Sequence, residues 1–541
     1  MTAPTDTPAP PAAPDHVVGD QSAVFALLED PATHGITDKV VRIDTHGAAV
    51  FLAGPFAYKV KRAVFFPFMD FSTPQKRHAA CEAEVAISGA GAPGLYLGVV
   101  PIVRTPNGLA LGGAGETVEH AVKMHRFDTD LTLDKVAERG ELSPDLAKAL
   151  AAAVATAHAA APVRRGFDTA SRLAAYLADN TREFSARPEL FPPQEVARLA
   201  RLAEDALAGI TPLLKTRSAA GFVRRCHGDM HLRNIVLLDG KPVLFDAIEF
   251  NDDIATCDVL YDLAFLLMDL WQRRLPAQAN AILNRYLWAS ADDEIDGLAA
   301  LPLFLSLRSA IRAKVEAAGL AHLAGAQRVE GERRVTHAFQ QALDILGTDR
   351  PKPVQFGQVT MEMAKPAPPI LWAVGGLSGS GKSTWAARMA PALGRAPGAV
   401  ILRSDIERKR LAGVAETQKL SPQAYTPEAT QLVYARLRTL AAQVLTTGHS
   451  VIVDAVHARS DEREAIAKVA RAAGADFHGW WLEAPKSELI RRVEARTGDA
   501  SDADAAVVRR QLSYDLGDIS WTRARAFSTA PLAAQPSDPH P

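Results

Sequence analysis

The run Gly375-Gly-Leu-Ser-Gly-Ser-Gly-Lys-Ser-Thr384 constrains this chain more than any other stretch. From Gly376 to Ser383 it satisfies G-x-x-x-x-G-K-[ST], after an apolar run and before helical text. In that setting glycines let backbone N–H groups wrap phosphates at a helix N-terminus, where the helix dipole also favours negative charge. Gly376, Ser378, Gly379, Ser380, Gly381 and Thr384 form the expected cradle; Lys382 reaches the β- and γ-phosphates of ATP, and Ser383 holds magnesium. Such a loop calls for a parallel α/β domain. The surrounding text agrees, because ILWAVGG, AVILRSD, SVIVDA and FHGWWLEA read as strands separated by helices.

Two carboxylates complete this candidate site. Asp405 follows AVILRS and Asp454 follows SVIV, which puts both at the carboxyl edge of the sheet, where ligands of open α/β sheets bind. One can join the magnesium shell while the other takes a proton from a substrate hydroxyl; the plainer alternative is that each caps the helix that follows.

A second, unrelated motif lies upstream. In HGDMHLRN, His227 to Asn234, the interval from Asp229 to Asn234 equals that of a kinase catalytic loop, H-R-D-x-x-x-x-N. Asp229 can orient and deprotonate a hydroxyl; Asn234 and, one Asp239-Gly240 hairpin later, Asp246 would hold magnesium. Further upstream, FAYKVK places Lys59 on a strand, with Lys61 on the same face, and the helix around residues 73–88 carries Glu82 and Glu84. We take Lys59 and Glu84 as the phosphate-positioning pair. The competing reading is a turn in which Asp229 and Asn234 satisfy backbone groups, but all five chemical groups stand in the required chain order.

At 541 residues the chain exceeds what one core usually organises, so at least two domains are expected. Hydrophobic residues at 48% and charged residues at 23% suit a folded globular protein. A formal net charge of -2 gives no overall pull toward nucleic acid and favours a small-molecule partner. Three widely spaced cysteines suggest neither a disulfide framework nor a metal knuckle, and the Pro/Ala-rich start does not read as a signal peptide, so a cytoplasmic location is expected. The most apolar window, Val259 to Trp271, is interrupted by Asp262 and Asp269 and reads as a buried helix rather than a membrane span. Oligomeric state is not readable.

The C-terminal text resembles the small P-loop kinases, the group that includes gluconate kinase, zeta toxin and polynucleotide 5′-kinase. The likeness rests on Gly376 to Thr384, SDIERKR from Ser404, IVDA from Ile452 and the arginines before DASDA at Asp499. It implies that Asp405 faces the acceptor hydroxyl with Arg408 nearby, and that Arg492 or Arg496 pairs with the transferring phosphate. The N-terminal text resembles the aminoglycoside phosphotransferase-like kinases, on HGDMHLRN, FDAIEF and DVLYDLAFLL, whose Asp262-Leu-Ala would brace the catalytic loop. Two departures stand out: no G-x-G-x-x-G precedes Lys59, and Asp246 is followed by Ala-Ile-Glu rather than Phe-Gly.

The expected layout is a tail at 1–19, a protein kinase-like α+β domain at 20–346, a proline-rich linker at 347–369, a P-loop α/β domain at 370–525 and a tail at 526–541. As a tandem the chain resembles bacterial fusions of these two domain types. It implies an ATP- and Mg2+-dependent kinase acting on hydroxyl groups of small molecules. The alternatives are a nucleic-acid end kinase in the C-terminal half, with Arg403, Arg408, Lys409 and Arg410 tracking a backbone, or a nucleotide-sensing module that regulates the other half.

Overall fold

The structure is a computed structural model and describes residues 16–66, 68–290, 294–347, 354–356, 359–361, 368–496 and 498–525. The tail expected at 526–541, all but the last four residues of that expected at 1–19, and most of the 347–369 segment lie outside the described residues. Two compact units form, one from the residues up to Phe167 together with Ser218–Leu263, the other from Asp168–Arg217 and the residues from Ala264 onward.

The first unit is built on an antiparallel sheet of six strands: β1 (Val41–Asp44), β2 (Ala48–Ala53), β3 (Phe56–Lys61), β4 (Tyr96–Thr105), β5 (Gly108–Leu111) and β6 (Glu116–His125), in the order β1-β2-β3-β6-β4-β5. Both faces are covered. Helix α1 (Ser22–Glu29) brings Val24 and Leu28 against Phe51, Tyr58, Val60 and Ile102 on one face. Helix α2 (Pro74–Gly91) brings Cys81 against Ala57, Val122 and Met124 on the other. Strand side chains alternate with period two, so Tyr58 and Val60 of β3 face α1 while Ala57, Lys59 and Lys61 face α2. Helix α2 starts where Thr73 caps the N–H of Lys76 and Pro74 occupies the first turn. Its buried residues Arg77, Ala80, Cys81, Glu84 and Ser88 recur at helical spacing. The same stripe that packs the helix therefore carries Glu84 to the lysine face of β3.

Beyond this sheet, β7 (Val223–Arg225) pairs with β10 (Thr256–Asp258), and β8 (Ile235–Leu238) with β9 (Lys241–Leu244), each antiparallel. Asp239 and Gly240 join β8 to β9 with φ of 50° and 72°, the left-handed pair that an Asp-Gly hairpin turn provides. The helix Val259–Gln272 follows, buried over most of its length as the sequence suggested.

The second unit has a helical part and a sheet part. Helices α3 (Thr169–Ser185), α4 (Pro193–Ala220), α5 (Pro276–Ala289), α6 (Leu301–Gly319) and α7 (Gly325–Leu346) supply the first. Its core centres on Phe184, Phe191 and Phe339, with ring centroids 4.5–5.2 Å apart. The sheet is wholly parallel, in the order β12 (Val400–Arg403), β13 (Val451–Asp454), β11 (Ile370–Gly375), β14 (Asp476–Glu483), β15 (Thr522–Arg525). Every residue of β11 is buried, as its unbroken apolar text requires of a central parallel strand. The polar fifth strand, β15, carries no strand signature in the sequence.

Edge strand β12 would expose unpaired backbone groups. Instead α5 lies against it. Asn280 and Asn284 each donate from Nδ2 to Ala399 O at 3.0 and 3.2 Å, Asn284 Oδ1 accepts from Ile401 N at 2.6 Å, and Trp288 Nε1 donates to Ile401 O at 3.1 Å. These three side chains follow at intervals of four, on one helix face.

Candidate active sites

In the first unit Lys59 Nζ lies 2.8 Å from Glu84 Oε1 and also contacts Asp246. Lys61 takes the other oxygen of Glu84, at 2.5 Å, and contacts Glu249. Glu82, off the buried stripe, is exposed and pairs with His78, so of the two glutamates it is Glu84 that meets Lys59. Burial opposes the charge on Glu84, but the two ammonium groups outweigh it and hold the carboxyl at about 2. Burial likewise works against the Lys59 ammonium, and Asp246 and Glu84 reverse that, raising its pKa well above the ordinary lysine value. Asp246 adopts the left-handed φ of 60°, its N–H donating to the Tyr96 hydroxyl at 3.1 Å.

The catalytic-loop motif is held from behind. Asp262 accepts hydrogen bonds from the N–H groups of His227 and Gly228 at 3.2 and 2.8 Å, and His158 Nε2 is 3.2 Å from Oδ2, the oxygen that His227 also reaches. His227 donates from Nε2 to Phe245 O at 2.9 Å, while its Nδ1 accepts from Asp229 N at 3.3 Å. Gly228 has a φ of +83° and packs so that a Cβ would meet Ile248 at 3.1 Å and Ala255 at 3.3 Å, so a larger residue would be strained there. The loop presents Asp229 with its side chain 40% exposed, steadied by Asn234 Nδ2 at 3.0 Å and by His231 at 3.4 Å. Asn234 thus meets Asp229, and Asp246 meets Lys59. The amide oxygen of Asn234 and the carboxylates of Asp229 and Asp246 are hard oxygen donors of the kind magnesium takes, so the residues present fit that ion.

In the second unit the phosphate-loop motif leads from β11 into α8 (Lys382–Met389). Its glycines are fixed by sterics: a Cβ at Gly376 would lie 2.4 Å from Leu482 O and one at Gly379 2.4 Å from Leu489 O, and both have positive φ, as does Gly381 at the start of α8. Ser383 Oγ donates to Asp454 Oδ2 at 2.6 Å. A hydroxyl and a carboxylate so placed form an oxygen donor pair that also fits magnesium. Lys382 Nζ donates to Leu377 O at 3.1 Å; burial lowers its pKa against the pull of Asp454 and Asp405. Ser378 N donates to Gln511 Oε1 at 2.7 Å, and Ser380 Oγ is buried without a partner.

These groups open on a cleft of about 2010 Å3, lined also by Thr384, Asp405, Arg408, Arg492 and Arg496. Asp405 sits in the first turn of α9 (Ser404–Leu411), where burial raises its carboxyl pKa despite Arg403, with Asp454 adding to the rise. Arg492 Nη1 donates to Gly379 O at 3.3 Å, which sets it against the phosphate loop. Arg408 donates to Ala424 O at 2.5 Å and lies over the Tyr425 ring. The sequence points to Arg403 only as one of four cations that could track a backbone and does not mark Asp502; in the structure Arg403 bridges Asp454 at 3.5 Å and Asp499 at 3.0 Å, and Asp502 binds Lys409 at 3.0 Å and the Tyr425 hydroxyl at 2.6 Å. Acids in the DASDA segment facing the cations of RSDIERKR were the available signal.

Residues 57–301 match the phosphotransferase enzyme family, and residues 371–514 match an AAA domain. An uncharacterised protein of Mycobacterium tuberculosis is 28% identical over 519 residues, covering 92% of this chain and 96% of its own. Among solved structures, a choline/ethanolamine kinase family protein from Mesorhizobium loti is 17% identical over 60% of this chain and 97% of that one, with a TM-score of 0.36. An APS kinase of Mycobacterium tuberculosis in complex with AMPPNP and APS is 25% identical over 24% of this chain and 71% of that one, with a TM-score of 0.20. Residues 57–301 thus resemble the phosphotransferase enzyme family, around a buried lysine–glutamate pair, and residues 371–514 resemble an AAA domain, around a phosphate-loop motif on a parallel sheet.

Proposed function

We propose that the chain is an ATP-dependent kinase with two separate sites, each transferring the γ-phosphate of Mg-ATP to a hydroxyl of a small molecule. The observation that carries this reading is that each site holds a lysine for phosphate, oxygen ligands for a metal and an accessible carboxylate within one unit: Lys59, Asn234, Asp246 and Asp229 in one; Lys382, Ser383, Asp454 and Asp405 in the other.

In the N-terminal site Asp229 would orient the acceptor hydroxyl and take its proton as the oxygen bonds to the γ-phosphorus and ADP leaves. Asn234 keeps that carboxylate turned toward the acceptor side, and Lys59, fixed by Glu84, would hold the α- and β-phosphates. In the C-terminal site Asp405 has the corresponding role, and its raised pKa makes it a stronger base than an ordinary aspartate. Lys382 and Arg492 would neutralise charge on the transferring group, Arg496 joining them from the cleft wall. Ser383 and Asp454 in one site, and Asn234 and Asp246 in the other, would hold magnesium, which would supply neutralisation of phosphate charge.

A small-molecule acceptor is favoured over a nucleic-acid end by the state of the basic cluster. Arg403 is taken by Asp499, Arg408 by Ala424 O, Lys409 by Asp502 and Arg410 by Ser290 O, so these cations serve the fold rather than a free track. Incubating the protein with γ-labelled ATP and libraries of sugars, sugar alcohols, amino alcohols and nucleosides tests the reading; absence of label transfer to any hydroxyl compound, with Mg-ATP bound, would refute it in favour of nucleotide sensing.

A further inference from the structure

Lys61 stands two residues from Lys59 on the same face of β3, yet its side chain is only 2% exposed. Glu84 and Glu249 hold it from two sides. Together the five groups form a chain of alternating charge, Asp246–Lys59–Glu84–Lys61–Glu249. Both ends belong to one short loop, three residues apart. Side-chain exposure is 40% at Asp246 and 13% at Lys59 but 0% at Glu84 and 5% at Glu249. One end of the chain is therefore open to solvent, and the other is sealed.

A buried ion pair seldom adds net stability over well-packed apolar residues, and fixing a particular arrangement is a better-supported use. The arrangement here is that of the Asp246 loop. Ala247 N donates to Ser88 Oγ at 3.1 Å, tying it to α2, and Ile248 N donates to His227 O at 2.9 Å, tying it to the catalytic loop. Among the described residues, its ion pairs to β3 are the two lysine contacts. Nucleotide phosphates that engage Lys59 compete with Asp246 for that ammonium, which leaves the Lys61–Glu249 contact as the tie between loop and strand.

We propose that Lys61 and Glu249 are positioning residues for the N-terminal site: Lys61 keeps Glu84 seated while Lys59 turns to phosphate, and Glu249 keeps the loop in place so that Asp246 stays presented to the metal. The inference rests on reading this site as a Mg-ATP site. It accounts for the departure seen in the sequence, where Asp246 is followed by Ala-Ile-Glu: the glutamate three residues on returns the loop to the strand that carries the nucleotide lysine.

The test uses the full chain carrying Lys382→Ala, so that nucleotide binding reports the N-terminal site, with calorimetric titration of ATP in magnesium and in EDTA. Glu249→Gln weakens Mg-ATP binding about tenfold and magnesium-free ATP by about threefold or less, the size of loss typical when the outer support of a metal ligand is removed. Lys61→Met combined with Glu249→Gln removes one charge of each sign, keeps the net charge and weakens Mg-ATP binding likewise. Thermal unfolding of each variant is recorded in parallel; if Glu249→Gln does not fold, Glu249→Asp, which keeps the charge and shortens the reach, is held to the same expectation. Parental Mg-ATP affinity in these variants, or equal losses with and without magnesium, overturns the proposal and reduces the pair to a structural one. Asp246→Asn in the same background separates the two levels: if it leaves Mg-ATP binding unchanged, the reading of the site itself falls and the proposal with it.

Discussion

Ser383 Oγ and Asp454 Oδ2 lie 2.6 Å apart, one in the first turn of α8 and the other on the last residue of β13. The strand order makes this possible. β13 is the direct neighbour of β11, with Val374 in register with Asp454, so the strand that delivers the phosphate loop also delivers the carboxylate beside it.

From this pair we expect Ser383→Ala and Asp454→Asn each to weaken Mg-ATP binding at the C-terminal site by about 10–100-fold, as loss of a metal ligand or its partner does. The double variant should lose less than the two single losses combined, because both groups serve one ion. Calorimetry in an Asp246→Ala background, where the other site is disabled, measures both quantities.

At the N-terminal site, base and metal ligand should separate kinetically. Asp229→Ala should lower phosphoryl transfer about 10²–10⁴-fold, the usual loss on removing a general base, while Mg-ATP binding stays near the parental value. Asp246→Ala should instead impair Mg-ATP binding. Turnover unchanged by both substitutions would remove the kinase assignment of this site.

The two chemistries should also be separable from each other. Lys382→Ala is expected to silence the C-terminal site and spare transfer at the N-terminal one, because neither set of ligands draws on the other's. The check is product formation with each site's acceptor by Lys382→Ala and Asp229→Ala, singly and together. Loss of both reactions in a folded Lys382→Ala protein would show coupling instead.

Glu84 predicts an acid-sensitive step. Its ordinary value of 4.5 falls to about 2 in the fold, through Lys59 and Lys61 acting against burial. A carboxyl with a lowered folded pKa contributes stability that is fully present above 4.5 and is lost as the pH falls through that window toward 2. Chemical denaturation across this range should show the native protein losing stability more steeply than Glu84→Gln. Parallel curves would mean that the lysine contacts do not persist in solution.

Much of this was legible in the sequence because the informative residues carry local signals. The glycines of the phosphate loop, the Asp-Gly turn before β9 and the period-two text of β3 each report their own backbone geometry. Glu82 and Glu84 lie in the same helical text, and the physical reason for taking Glu84 comes from the buried stripe of α2, which includes Glu84 and leaves Glu82 exposed. What stayed hidden depends on partners far along the chain. Nothing local marks Lys61 as sealed by Glu249, 188 residues away, or Arg403 as bridging Asp454 and Asp499, because burial and ion pairing are set by packing that a linear reading does not contain.

The Asn280–Asn284–Trp288 ladder changes what cutting the chain would mean. Cleaving the proline-rich stretch between residues 347 and 369 would sever the covalent thread and leave β12 still fastened to α5 through the Asn280, Asn284 and Trp288 side chains, so the two pieces should elute as one complex. Removing α5 altogether is the harsher operation. It would bare the N–H of Ile401 and the carbonyls of Ala399 and Ile401 on an open strand edge, the kind of surface on which identical chains add to one another and grow into aggregates. A C-terminal fragment begun at residue 370 would thus be prone to self-association for a reason unconnected with nucleotide, and the smallest soluble piece retaining the phosphate-loop site should start before Pro276.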